Sequence, residues 1–130
     1  MEQSSLKKEA LKLIARAHEN VTEMNVLLVR SLYFGAVNRA YYAIFHAFSA
    51  LLLWDGKEFS SHKSLISYFG KHYSRTGRVP KHYHRVFLDA FEIRQRADYD
   101  YDAIVSKEQA EEIAANANEI VEYVESKIHE

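Results

Sequence analysis

Residues 31–54, SLYFGAVNRAYYAIFHAFSALLLW, decide the fold of this chain. Wound as a helix at about 100° per residue, Phe34, Val37, Tyr41, Ile44, Phe45, Phe48, Leu51 and Leu52 share one face far wider than the stripe of a surface helix. The stretch therefore reads as a central helix from Ser31, its N-cap, to Trp54, with that face in the core. The other face carries Gly35, Arg39, Tyr42, Ala43, His46, Ser49 and Ala50. Its small residues admit a neighbouring helix, and its large polar groups need partners if they are covered.

Ahead of this stretch, Leu6, Ala10, Leu13, Ala17, Val21, Met24 and Leu28 recur at steps of three and four and predict a long first helix. Asp55 and Gly56 mark a turn after the central helix, and Ser60 or Ser61 can cap a short third helix. That helix buries His62, Leu65, Ile66, Phe69 and Tyr73, and Gly77 closes it. Pro80 suits the first turn of a fourth helix along Tyr83, Val86, Phe87, Ala90, Phe91, Ile93 and Ala97. Ser106 to Gln109 spells a capping box that opens a last helix along Ala110, Ile113, Ala117, Ile120, Val121, Val124 and Ile128. The expectation is an all-α, up-and-down bundle of about five helices, one domain over residues 1–130.

The composition agrees with that reading. One Pro and four Gly among 130 residues leave few helix breaks, and nine Tyr with seven Phe supply an aromatic core. The absence of cysteine excludes disulfides and thiolate metal sites, and the opening MEQSSLKKEALK lacks the apolar run of a secretory signal, so a cytoplasmic protein is expected. No apolar run approaches the roughly 20 residues that span a bilayer, so no membrane contact is expected. Charge is unevenly spread: residues 57–96 hold nine Lys and Arg against three acids, and residues 97–130 hold ten acids against two bases. A basic middle attracts phosphate, but a basic segment lying against an acidic helix of the same bundle gives the same statistics. The pattern favours self-neutralisation.

The residues with chemistry fall in two places. Arg39, Tyr42 and His46 share a face of the central helix. Arg94, Gln95, Arg96, Ala97, Asp98, Tyr99, Asp100, Tyr101 and Asp102 crowd guanidinium, carboxylate and phenol groups into nine residues. Arg94 and Asp98 lie one turn apart and can pair, with Arg96 on another face. Such groups brace a helix end as readily as they bind a ligand, because free carbonyls there attract cations. The seven histidines lack metal-ligand spacing, and no Gly-rich phosphate loop is present, so neither a metal nor a cofactor is expected. His46, alone in the aromatic helix, reads first as a satisfied core histidine.

The stretches SLYFGAVNRAYYAIFHAFSALL, SHKSLISYFGKHY and FLDAFEIRQRADYDY resemble the HEPN domain superfamily, in particular its small stand-alone prokaryotic members. The most specific positions are Arg39, Ala40, Tyr41, Tyr42, Ala43 and Phe45, with Arg94, Ala97, Asp98 and Tyr99. The resemblance implies a helical bundle that forms homodimers and is encoded beside a minimal nucleotidyltransferase as a toxin and antitoxin pair. It also implies ligand binding, to RNA or a nucleotide, through Arg39, Tyr42, Arg94, Arg96, Asp98 and Tyr99. Ribonuclease members cleave RNA without metal, using an arginine and a histidine with four to six residues between. From Arg94 that spacing reaches Tyr99, Asp100 and Tyr101, and from Arg96 it reaches Tyr101, Asp102 and Ala103, so the histidine is missing. Phenols with ordinary pKa near 10 transfer protons poorly at pH 7. The leading expectation is thus a binder, with Arg94, Arg96 and His46 as catalytic candidates should the chain be a ribonuclease. A plain helical interaction module is the third reading.

Overall fold

The computed structural model describes residues 2–128. They form α1 (Glu2–Val29), α2 (Tyr33–Trp54), α3 (His62–Phe69), α4 (His82–Tyr99) and α5 (Lys107–Lys127), with no strand among the described residues. A π-helical turn, Gly70–Ser74, continues α3. The all-α bundle expected from the sequence is what forms.

At the centre, α2 packs against α1, α4 and α5. It runs antiparallel to α1, since Gly35 lies against Leu27 and His46 against Asn20. With neighbours on most sides, α2 is buried more fully than its periodicity suggests. Ala43 and Ala50, expected on the polar face, are as inaccessible as Tyr41 and Phe48, and Ala36, Ala40 and Ala47 join them. Buried alanines also line α1 (Ala10, Ala17) and α5 (Ala110, Ala114, Ala117), so these helix backbones approach closely. Phe34, expected in the core, is 41% exposed because it sits in the first turn of α2, at the end of the hairpin.

Ser31 does not cap α2, which begins at Tyr33 with Leu32 before it and no side-chain cap. Instead Ser31 closes α1. Its φ is 61°, its N–H donates to the Leu28 carbonyl (3.0 Å), and Leu32 N–H donates to the Leu27 carbonyl (2.9 Å). This is the Schellman arrangement, in which glycine usually takes the left-handed position. Gly56 (φ 85°) does the same at the end of α2, with bonds back to Leu53 and Leu52. Ser61 caps α3 through Ser64 N–H, and Ser106 with Gln109 forms the capping box of α5, both as expected. Pro80 falls just ahead of α4, whose first turn opens with Tyr83 N–H on the Pro80 carbonyl.

The α3 rod is held to α4 by one bare position. A side chain at Gly70 would collide with the His84 ring, so glycine lets the two elements meet.

The left-handed serine leads to a test. Replacing Ser31 with glycine removes a Cβ conflict, and Ser31→Gly should stabilise the fold by about 1 kcal/mol. Urea unfolding should show a raised midpoint at unchanged slope; an unchanged or lowered midpoint contradicts the strain.

Candidate functional site

Between α1 and α2 lies an open groove of about 440 Å³ lined by Arg16, Glu19, Asn20, Glu23, Arg39, Tyr42 and His46. The i, i+3, i+7 spacing places Arg39, Tyr42 and His46 there as expected. Asn20, only 4% exposed, organises the floor. Its side-chain oxygen lies 2.7 Å from His46 Nδ1, and its amide donates to Glu23 Oε1 (3.3 Å). The same carboxylate oxygen accepts from Arg39 Nη1 (3.3 Å), and Arg39 also donates to Asn38 Oδ1 from Nε (3.1 Å) and Nη2 (2.7 Å). Because an amide oxygen only accepts, His46 carries its proton on Nδ1. Burial, followed by the charges of Arg16 and Arg39, pushes the His46 pKa down to about 4. At pH 7 this imidazole is neutral and a weak base.

The second half of the site comes from α4. The Arg94 guanidinium carbon lies 4.8 Å from the Tyr41 ring centre, 5.5 Å from Tyr42 and 5.8 Å from Phe91. Arg39 sits 5.2 Å from the same Tyr42 ring, so two guanidinium groups from different helices flank one phenol. Arg94 pairs with Asp98 at 3.5 Å, as the one-turn spacing predicted. That contact is long, and Arg94 Nε is buried with no hydrogen-bond partner. A cation only 17% exposed and held by one distant carboxylate retains most of its capacity to bind an anion.

The third contributor is His62, for which the sequence suggests only a core position of α3. Its Nδ1 lies 2.6 Å from the Tyr41 hydroxyl, and its ring stacks on Phe45 at 4.0 Å. Tyr41 is fully buried and has no other acceptor among the described residues, so its hydroxyl donates to Nδ1, leaving an N–H on His62 Nε2. Burial and the nearby Arg94 charge lower the His62 pKa. Burial also raises the Tyr41 pKa, keeping that phenol protonated. Two sequence signals point to these residues. Tyr41 on a core face needs a partner for its hydroxyl, and Asn20 interrupts the buried line Ala10, Ala17, Met24 with an amide.

Arg39, Tyr42, His46, Arg94 and Asp98 thus converge, while two other residues proposed from sequence do not. Arg96 lies in a separate cavity between α4 and α5 beside Asp89, Glu92 and Glu112. Tyr99 is 84% exposed at the end of α4. No cluster of metal-ligating side chains occurs among the described residues, and no described helix is long and apolar enough to cross a membrane. The self-neutralisation favoured by the charge pattern is slight in its contacts: Arg94–Asp98, and His82–Glu119 at 3.8 Å, are the ion pairs between the basic middle and the acidic tail among the described residues.

The chain is thus a helical bundle in which two arginines from different helices meet at one tyrosine. The HEPN domain matches over residues 10–127, and the chain belongs to that family. A Methanocaldococcus jannaschii protein named a putative toxin is 34% identical over 125 residues, which is 96% of this chain and 92% of that protein. A second protein of that organism with the same designation is 31% identical, over 81% of this chain and 71% of its own length. A Thermotoga maritima member of the group named UPF0332 is 38% identical over 65% of this chain and 64% of its own.

The lowered imidazole values set an acid sensitivity. An unfolded histidine takes a proton near pH 6.5, whereas folded His46 resists protonation until about 4. Between those values the unfolded state binds more protons, so stability is fully present above about pH 6.5 and is lost as pH falls; His62 acts in the same direction. The urea midpoint should decline from about pH 6.5 to 5, above the main carboxylate range. His46→Asn, which keeps an N–H facing Asn20, should flatten that decline; a slope as steep as the wild type's would contradict the assignment.

Proposed function

We propose that this chain binds RNA or a nucleotide through a phosphate held between Arg39 and Arg94, and that it acts as the toxin-like member of a pair with a minimal nucleotidyltransferase. The observation that carries the reading is the flanking of Tyr42 by two guanidinium groups, one of them with a buried, unpartnered Nε. Charge-assisted bonds from arginine are well suited to phosphate oxygens, and the phenol ring offers a surface for a base. The relatives named putative toxins support the toxin-like role. The missing motif histidine and the low proton affinity of His46 favour binding over cleavage.

The same reading makes the protein a homodimer. Val26, Val29, Leu32 and Phe34 are exposed near the α1–α2 turn, and an apolar groove of Val26, Leu27 and Thr22 runs up to Arg39 and Glu23. Apolar surface beside a charged site suits a second copy whose own site lies across a two-fold axis. Light scattering should return twice the 15.1 kDa chain mass at micromolar concentration, and Val29→Glu should lower it. A wild type that stays at the mass of one chain refutes the dimer.

Ligand binding has a sharper expectation than the sequence alone provides. Arg39→Ala and Arg94→Ala should each weaken RNA or nucleotide binding about tenfold or more, while Arg96→Ala, in its acidic cavity, should have little effect. Equal losses in all three would contradict the site. The ribonuclease reading is kept alive by His62, which contacts Tyr41 beside Arg94. Incubation with RNA in EDTA should yield no robust cleavage. Cleavage by the wild type that vanishes in His62→Ala, His46→Ala or Arg94→Ala, with folding intact, would replace the binder by an enzyme.

A further inference from the structure

Residues 59–88 contain six Lys and Arg and four His but no Asp or Glu. In the fold they make one corner. The α3 helix and its π-helical turn run as a continuous rod over residues 62–74, about 20 Å long at 1.5 Å per residue. Lys63 and Lys71 on this rod and Arg75 at its end are exposed, at spacings of eight and four residues. Lys81 and Arg85, one turn apart at the start of α4, are exposed too. The Ser74 hydroxyl donates to the Lys81 carbonyl (3.1 Å) and ties the two rows together.

Most of these charges are not neutralised by ion pairs among the described residues. Arg78 is taken by Asp55 at 2.7 Å, but none of the other five forms an ion pair among the described residues. Like charges one helical turn apart repel, so the corner holds a positive field that an external anion would relieve. Rings are interleaved with the cations. Tyr68 packs on His72 of the same rod at 4.2 Å and on Phe59 of the preceding segment at 4.9 Å, a partly open set of faces. The rod also starts at the phosphate site, because its first residue is His62, bonded to Tyr41.

We propose that the corner formed by α3, its π-helical turn and the start of α4 is a second RNA-binding surface, a track for the strand whose phosphate occupies the Arg39–Arg94 site. The inference rests on the phosphate-site reading above. Acidic protein would match the charge, but interleaved rings and continuity with a paired-arginine site favour a nucleic acid strand. A short oligonucleotide fills the site alone, whereas a longer strand reaches Lys71, Arg75, Lys81 and Arg85.

Fluorescence anisotropy with labelled single-stranded RNAs of about 3 and about 20 nucleotides separates the two surfaces. Lys71→Glu/Arg75→Glu and Lys81→Glu/Arg85→Glu, with helicity checked by circular dichroism, should each weaken the long RNA about tenfold or more. They should also lower its salt slope by about 0.7 per lost phosphate contact, and leave the short RNA unchanged. Arg94→Ala should weaken both. Wild-type affinity and slope for the long RNA in both double variants overturns the track while leaving the site standing, and would assign the corner's charge to an acidic protein. Loss of long-RNA binding in the double variants with Arg94→Ala unaffected overturns the site reading and keeps the corner as an RNA surface.

Discussion

The buried hydroxyl of Tyr41 is the constraint on which the site depends. The ring is completely inaccessible and touches Tyr42, Phe45, Phe87, Phe91 and the Arg94 guanidinium. A phenol placed there needs an acceptor, and His62 supplies it. One hydrogen bond therefore joins α2 to α3, while the ring above it carries a cation from α4. An unmet hydroxyl in this position would cost about 1–3 kcal/mol. The aromatic bed also screens Arg94 from water, which strengthens its attraction for any anion that reaches it.

Most of the architecture is legible from period and punctuation. The five helices, the capping box at Ser106 and the cap at Ser61 all arise from local chemistry that tertiary contacts do not override. The departures have separate causes. Periodicity assigns a helix an inside and an outside, but α2 has neighbours on most of its circumference: Ala43 and Ala50, on the face whose small residues admit another helix, are core, while Phe34 on the apolar face is exposed at the hairpin end. Ser31 misleads because a serine ahead of a hydrophobic run usually caps the helix after it, whereas here it occupies the left-handed position that ends the helix before it.

The site is legible in part for a different reason. Arg39, Tyr42 and His46 are one helical face, and Arg94 with Asp98 is one turn, so spacing alone assembles each half. That the halves meet at Tyr42 is a matter of how α4 crosses α2, which local sequence does not encode. Arg96 shows the limit: two residues from Arg94, it emerges on another side of the helix among carboxylates. His62 and Asn20 escape a reading of the sequence because each sits on a line of apolar residues and passes for filler, when a polar atom on such a line signals a partner elsewhere.

The π-helical turn has a bearing on how the chain tolerates insertion and deletion. Its closing bond, Arg75 N–H to the Gly70 carbonyl at 2.9 Å, spans one residue more than an α-helical bond. Tyr73 and Ser74 are buried in that phase, with Tyr73 bonded to Asp55 and Ser74 to Lys81. Because the wider turn takes up one extra residue, loss of a single residue within Gly70–Ser74 would let the rod rewind as uniform α-helix with little change of direction, whereas the same loss within α3 would turn everything beyond it by about 100°. The phenol anchored to Asp55 would then swing out of the core and the cations beyond it would face a new direction. The surplus residue thus makes this turn the place in the rod where a change of length leaves the corner in register, and natural length variation within the rod should fall there.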